Sequence, residues 1–275
     1  MELQAKLAEF RKQGIGVAAI SYDSPAVLKD FAGRRGITFP LLSDQGSNTI
    51  KAFGILNEAV PAGTPFFGIP HPGTYIVDPG GRVTAKYFED DYTQRFTASD
   101  ILVSQFGSSA GSAHATTETK HLRLSSSASA DRVRSGQRIA LTLDVELKPD
   151  MHVYAPGVKG YISIEWTMAP TEAILVHPMV APPSKTLHLP AIDETVSVYG
   201  GQFRLVRDIT IAKDAKLKPL LDTNGNFTIE GKFRYQACDD RMCYIPQTVP
   251  VKWTLHLEAH DRERVPEQLQ RKPGN

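Results

Sequence analysis

Two cysteines, Cys238 and Cys243, are the side chains of this 275-residue chain best suited to covalent chemistry. They are the only cysteines in the sequence, and both lie in the segment YQACDDRMCYIPQ (235–247). A four-residue connection between antiparallel strands brings the flanking Cα atoms to roughly 5.5 Å, which suits a disulfide. The sequence therefore predicts a cysteine pair within bonding reach, on adjacent strands at one end of a β domain.

The short ring between the cysteines favours a redox role over a structural one. Closing so short a loop contributes only about 2 kcal/mol, and an exposed hairpin disulfide opens and re-forms without disturbing a core. Asp239 and Asp240 are expected to raise the thiol pKa values. Arg241 opposes them nearer Cys243, so charge alone predicts Cys243 as the attacking thiolate. The alternative that the pair is structural, or never bonded, stays open.

Composition limits the classes of function that the chain can have. With 41% hydrophobic and 22% charged residues the chain is an ordinary globular protein, and its length predicts two domains. A formal net charge of +1 gives no electrostatic reason to expect nucleic acid or an anionic membrane as partner. The eight histidines are scattered, so we expect no metal site. No apolar run is long enough to span a bilayer, and the first residues do not resemble a signal peptide.

The pattern of the chain changes near residue 105. Residues 1–105 alternate helical and strand patterns, which predicts an α/β domain. Within it we expect a buried strand at 15–21, a helix capped by Ser24 and ended by Gly36, a short helix near Asn48, a hairpin around Pro79-Gly80-Gly81 and a closing helix at 97–106.

Beyond residue 105 the pattern is typical of a linker and then of strands. Residues 106–118 are small and polar, which predicts a flexible linker. Apolar residues at 139–147, 162–166, 227–229 and 249–257 alternate with polar ones, which predicts half-buried strands. We therefore expect an all-β sandwich of immunoglobulin-like type over 119–258. The charged tail, 259–275, is expected to be disordered.

The first domain resembles the redoxin family, which comprises peroxiredoxins of the AhpC/TSA type and thioredoxin-like proteins. The segments that carry the resemblance are SYDS (21–24), FPLLSD (39–44) and GTYIVDPGGRV (73–83). The resemblance implies a thioredoxin-like fold in which Pro72 takes the place of the family's cis-proline. It also implies a reactive cysteine on a strand that precedes the helix at 2–13, but no cysteine precedes Cys238. We therefore expect an incomplete, inactive redoxin domain in a truncated chain.

The second domain resembles the N-terminal domain of the thiol:disulfide interchange protein DsbD, an immunoglobulin-like periplasmic module with a redox cysteine pair. The matching segments are YQACDDRMCYIPQTVPV (235–251), VYGGQFRLVRDITI (198–211) and HVYAPG (152–157). The resemblance implies that Cys243 is the attacking and Cys238 the resolving cysteine. It also implies that Tyr199 is part of a cap over the pair, and we add Tyr235 as a supporting residue. An acid–base role is not carried over to Asp193 or Glu194, because both are displaced upstream of the family's acidic pair.

Together the two resemblances predict a thiol–disulfide oxidoreductase of the periplasm or cell envelope that needs no cofactor or metal. Its expected partners are thioredoxin-like or other thiol–disulfide proteins, and its own redoxin domain in a longer chain. Two alternatives remain. One is an antioxidant peroxidase whose active cysteine is missing from this fragment, and the other is a non-enzymatic binding module with an inert cysteine pair.

Overall fold

The computed structural model describes residues 2–108, 111, 113–189, 193–261 and 263–270. The chain divides into two compact units, one of residues up to Ala98 together with those from His260 onward, and one from Ser99 to Ala259. None of the described helices is long and apolar enough to cross a membrane.

The first unit combines short helices with short strands, as predicted for an α/β domain. Its third helix begins after Ser24, whose hydroxyl accepts a hydrogen bond from the amide of Val27, and ends at Gly36 in the left-handed conformation. Both predicted caps are therefore confirmed. The elements are α1 (Glu2–Ala5), α2 (Leu7–Lys12), β1 (Ala19–Ser21), α3 (Pro25–Arg35), β2 (Leu41–Ser43), α4 (Asn48–Ala52), β3 (Gly73–Val77), β4 (Val83–Phe88) and β5 (Arg95–Phe96).

Four strands of the first unit form two separate two-stranded sheets. β1 and β2 are parallel, and β3 and β4 form the predicted antiparallel hairpin. The prediction of a buried strand over 15–21 is wrong in length and burial, since β1 has three residues and Ile20 is 39% exposed. The physical reason is that β1 has one neighbouring strand, so its side chains are covered only in part. Within the described residues of this unit, no strand joins the two sheets.

Two further predictions for this unit need correction. The peptide bond before Pro72 is trans, so the cis-proline assignment is wrong, and Pro72 simply precedes β3. The tail was expected to be disordered, but Asp261 and Glu263 form ion pairs with Arg35, and a 3₁₀ turn covers Glu267–Leu269. Charge pairing therefore orders part of a segment that lacks apolar periodicity. Residues 262 and 271–275 of the predicted tail lie outside the described residues.

The second unit is built almost entirely of strands, which confirms the all-β prediction. Its three main sheets have the strand orders β13-β14-β10-β17, β11-β16-β18-β8 and β12-β15-β9-β7-β6. The elements are α5 (Ala98–Phe106), β6 (Ala113–Glu118), β7 (Leu122–Ala128), β8 (Arg132–Val133), β9 (Gln137–Leu147), β10 (His152–Tyr154), β11 (Glu165–Met168), β12 (Ile174–Val180), β13 (Lys185–Leu189), β14 (Glu194–Gly200), β15 (Gln202–Ile211), α6 (Asp214–Leu217), β16 (Asn226–Tyr235), β17 (Ala237–Cys238) and β18 (Gln247–Leu257).

The core of this unit lies between the sheets, where the predicted alternation places it. Every second residue of β16 and β18 is buried, so each strand has one face on the core and one in solvent. Trp166 and Trp253 stack in the core with ring centroids 5.6 Å apart, and the indole nitrogen of Trp253 donates to the carbonyl oxygen of Ser127. Both tryptophans belong to the sheet β11-β16-β18-β8, and the hydrogen bond from Trp253 to Ser127 on β7 connects this sheet to the one that faces it.

The boundary between the units differs from the predicted linker at 106–118. Val103 of α5 packs on Ala140 of β9, so the helix predicted to close the first domain covers a sheet of the second. β6 occupies residues predicted as linker and pairs with β7. Its threonines have high strand propensity, which a composition argument about small polar residues overlooks. Residues 109, 110 and 112 lie outside the described residues.

Candidate active site

A small hairpin presents the two cysteines to each other. The amide of Asp239 donates to the carbonyl of Met242 at 3.0 Å, and the amide of Tyr244 donates to the carbonyl of Ala237 at 2.9 Å. These bonds flank Cys238 and Cys243, which occupy the intervening pair of opposed positions, where strands approach most closely. Their Cα atoms are 4.0 Å apart and their sulfurs are bonded. The prediction of a pair within bonding reach is confirmed.

The two sulfurs lie in different environments. Cys238 is 1% exposed and packs with Tyr154, Val196 and Val198. Cys243 is exposed. On either side of it in the chain, Met242 and Ile245 are 58% and 86% exposed. Of the two cysteines, Cys243 is therefore the residue that faces solvent, and Cys238 is the one enclosed by its neighbours.

Asp239 organises the turn between the cysteines. Its Oδ1 accepts hydrogen bonds from the amides of Arg241 and Met242, both at 2.8 Å, and its Oδ2 accepts one from the hydroxyl of Tyr244 at 2.7 Å. The hydroxyl of Tyr244 and the two amides lower the pKa of Asp239 to about 2. Its carboxylate is therefore charged at neutral pH and stabilises the turn, a contribution that the sequence analysis did not assign to it.

Tyr154 on β10 is the tyrosine whose hydroxyl reaches the cysteine pair. Its oxygen lies 3.6 Å from Sγ of Cys243. Its ring lies against that of Tyr161, with centroids 4.3 Å apart, and the Tyr161 hydroxyl donates to Glu194. That hydrogen bond raises the pKa of Tyr161 to about 12. Burial, and then the charge of Glu194, raise the pKa of Tyr154, so both phenols stay protonated at neutral pH.

Tyr199 lies on the other face of this sheet, so its predicted position against the cysteine pair is wrong. Val153 of β10 pairs with Tyr199 on one side and with Ala237 on the other. Paired residues share a face, and the next residue along each strand points to the opposite face. Tyr199 therefore belongs to the core, where it stacks on Phe203, whereas Cys238 lies on the outer face. The motif VYGG lies beside β10, but its tyrosine faces inward.

The remaining predicted residues have supporting positions. Tyr235 is fully buried in the core, and its hydroxyl bonds Thr119 and Gln247. Arg241 is exposed in the turn beside Cys243, as expected from the sequence.

Two histidines near the hairpin were missed by sequence reasoning. His152 pairs in register with Cys238 across β10 and β17. His121 is 3% exposed, and its ring lies 4.6 Å from that of Tyr244. His152 opens the segment HVYAPG, and its alternation with Tyr154 could have placed both on one face. His121 lies more than 100 positions from the cysteines, and no local pattern marks it.

Metal binding finds no support in the part of the chain that the structure describes. There, no group of three or more histidine, cysteine, aspartate or glutamate side chains is arranged to hold an ion.

Family models match both halves of the chain. Residues 1–86 match the AhpC/TSA family, and residues 122–254 match the N-terminal region of the thiol:disulfide interchange protein DsbD. Both resemblances are thus confirmed, and the chain has a thioredoxin-like redoxin region followed by a β-rich DsbD-type domain. The domain classes support thiol–disulfide redox activity.

Curated relatives match the redoxin region. Peroxiredoxin Bcp of Escherichia coli K12 is 31% identical over 90 residues, which are 33% of this chain and 56% of that protein. Alkyl hydroperoxide reductase E of Mycobacterium bovis is 35% identical over 82 residues, 29% of this chain and 49% of that protein. The chain thus spans about half the length of the curated relatives it matches.

Two solved structures match with low scores. The N-terminal periplasmic domain of ScsB from Proteus mirabilis aligns with a TM-score of 0.33 and 13% identity, over 51% of this chain and 49% of that one. The reduced N-terminal domain of DsbD from Neisseria meningitidis aligns with a TM-score of 0.29 and 11% identity, over 42% of this chain and 82% of that one.

Proposed function

We propose that this protein is a thiol–disulfide oxidoreductase that exchanges electrons with partner proteins through Cys238 and Cys243. The observation that carries the proposal is the disulfide between an exposed residue, Cys243, and a buried one, Cys238. In such a pair a partner protein reacts at Cys243, and Cys238 stays available to resolve the mixed disulfide. The match of residues 122–254 to the DsbD N-terminal family supports the same assignment.

The proposed exchange proceeds through a mixed disulfide. In the direction that reduces the partner, the Cys243 thiolate attacks one sulfur of the partner's disulfide, which releases the other sulfur as a thiolate. The Cys238 thiolate then attacks Sγ of Cys243, forms the intramolecular disulfide and releases the partner's second sulfur. Two electrons pass to the partner, whose thiolates take up protons. The reverse sequence oxidises a partner dithiol, and neither direction needs a cofactor.

The proposed partners are thioredoxin-like or other thiol–disulfide proteins, and the proposed location is the periplasm or cell envelope. The family name of the second domain refers to thiol:disulfide interchange, and a related solved domain is described as periplasmic. The redoxin region in the same chain is a further candidate partner where it carries its cysteine. A short linker between the redoxin region and the DsbD-type domain would hold them at a high effective concentration relative to each other.

The test is to trap the mixed disulfide. The full chain with Cys238→Ser should form a stable mixed disulfide at Cys243 with an oxidised thioredoxin-like protein, whereas the matched Cys243→Ser variant should form almost none. Equal trapping by the two variants would contradict the assigned roles. An inert structural pair is separated by its reduction potential, which should lie below about −300 mV, whereas a working pair should lie above it.

The peroxidase alternative concerns the redoxin region. The relatives of residues 1–86 are peroxiredoxins, but no cysteine precedes Cys238 in this sequence. A peroxidatic thiolate cannot be replaced by its scaffold. Peroxide reduction by residues 1–105 of this chain is therefore not proposed.

A further inference from the structure

His152 occupies the position next to the buried cysteine. It pairs in register with Cys238 on one side, and on the other side its partner is Gly200, which has no side chain. Opposed residues on adjacent antiparallel strands have Cβ atoms about 4.5–5.5 Å apart. Among the described residues, Cys238 is therefore the cross-strand neighbour whose side chain shares this row of the sheet with the imidazole.

One nitrogen of the His152 imidazole is buried and makes no hydrogen bond with the described residues. Its Nε2 is inaccessible to solvent and has no hydrogen-bond partner among the described residues. The ring packs edge-on against Tyr154, with centroids 5.8 Å apart, so it lies on the face that carries the cysteine pair. A buried polar atom without a partner costs free energy. The cross-strand partner of His152 that gains a proton when the disulfide is reduced is Cys238.

The charges around His152 fit a proton acceptor. Burial lowers the pKa of His152, and the nearby carboxylates of Asp240 and Asp239 partly offset that effect by raising it. The imidazole is therefore neutral near pH 7, with a lone pair available, and the two carboxylates stabilise the imidazolium that forms when it takes a proton. Tyr154 stays a phenol and adds no charge of its own.

We propose that His152 is the base that takes the proton of the Cys238 thiol when the mixed disulfide is resolved. This inference rests on the proposed function. The Cys238 S–H bond breaks, and its proton goes to Nε2 of His152. The Cys238 sulfur forms the bond to Sγ of Cys243, and the bond from Cys243 to the partner's sulfur breaks with its electron pair on that sulfur. In the reverse direction the imidazolium returns the proton to the leaving Cys238 sulfur.

The assignment explains how a buried thiol can be reactive. Burial in an apolar cluster disfavours the thiolate, and Cys238 packs with Val196 and Val198. A neighbouring base removes that obstacle at the moment of attack, so no standing thiolate has to exist in the apolar cluster. The exposed Cys243 needs no such help.

The test separates the two chemical steps with the reduced full chain and dithiobis(nitrobenzoate) as probe disulfide. Attack by Cys243 releases one thionitrobenzoate, and resolution by Cys238 releases the second, which the Cys238→Ser variant should abolish. At pH 7 we expect His152→Phe to slow the second release at least tenfold and to leave the first within about twofold. The matched control is His188→Phe, an exposed histidine on β13, which should leave both rates unchanged.

The pH profile distinguishes a base from a structural role. Wild type and His152→Phe should converge at high pH, where hydroxide ionises the Cys238 thiol without the imidazole, whereas a merely structural defect would slow the second release at every pH. If His152→Phe does not fold, the same two release rates are measured in His152→Gln. Two releases with equal second rates in wild type and variant would overturn the inference and leave the proposed function standing. A single release from the wild type would overturn both.

Discussion

The hydroxyl oxygen of Tyr154 lies 3.6 Å from Sγ of Cys243, although the two residues are 89 positions apart in the chain. The contact exists because β10 lies beside β17, which ends in Cys238. In the reduced protein the phenol can donate a hydrogen bond to the Cys243 thiolate. A bond of this kind favours the charged form and lowers the thiol pKa.

Replacing Tyr154 by phenylalanine should therefore raise the pKa of the Cys243 thiol. We expect a rise of about half to one unit for a single, partly exposed hydrogen bond. The measurement is the pH dependence of alkylation of Cys243 by iodoacetamide in the Cys238→Ala background. Tyr199→Phe is the matched control, because its hydroxyl donates to Pro182 on the other face. A larger effect from Tyr199→Phe than from Tyr154→Phe would contradict the placement of the two tyrosines.

Removing the Asp239 carboxylate should weaken the disulfide. Asp239→Ala loses three hydrogen bonds that hold the turn, so the reduced hairpin will hold its thiols together less often. We expect the equilibrium constant for disulfide formation in glutathione buffers to fall several-fold. Asp240→Ala, which changes an exposed neighbour outside these bonds, should have a smaller effect. The same fall in both variants would mean that charge, and not the turn, sets the equilibrium.

The low pKa of Asp239 predicts how the turn responds to acid. Its pKa in the folded protein is about 2, below the ordinary value of 3.8. The stabilisation is therefore fully present above about pH 4 and is lost as pH falls through 2. Thermal unfolding of wild type and Asp239→Ala should differ by a constant amount between pH 4 and 7, and the difference should shrink at pH 2. If the difference between the two proteins disappears already at pH 5, the stabilisation does not come from the Asp239 carboxylate.

His121 should make the β domain less stable in mild acid. Burial, and then the charge of Lys120, lower the pKa of His121 below its ordinary value of 6.5. The unfolded chain therefore binds a proton near pH 6 more readily than the folded one, and stability falls as pH drops below about 7. Urea unfolding at pH 7.5 and 5.0 should show a larger loss for wild type than for His121→Phe. His188→Phe should behave like wild type, and a His121→Phe variant as acid-sensitive as wild type would refute the assignment.

Peroxide consumption should not arise from residues 1–105. Only Cys238 and Cys243 supply thiols in this chain, so the Cys238→Ala, Cys243→Ala double variant should be inactive in both peroxide reduction with a dithiol donor and exchange with an oxidised thioredoxin-like protein. Peroxide turnover that survives the double substitution would show chemistry independent of cysteine.

The sequence predicted the features that depend on local patterns. It did not predict the side-chain positions that depend on pairing between strands distant in the chain. The cysteine hairpin, the caps of α3 and the alternation in β16 and β18 each follow from residues close in the chain. The choice between Tyr154 and Tyr199 could not be made in this way, because it depends on the register of β10 against β14. The burial of His121 against Tyr244 likewise requires two segments that meet only in the folded protein.

The alternation of faces along β10 limits which length changes this site tolerates. A shift of one residue in the pairing of β10 would turn Tyr154 and His152 inward and bring Val153 to the outer face. One residue inserted inside the strand, between His152 and Val153, would therefore move the imidazole away from Cys238 while leaving every side chain of the motif in the sequence. A homologous chain with one extra residue inside this strand would thus be expected to lack the imidazole beside Cys238, and a count of matching residues alone would not reveal the loss.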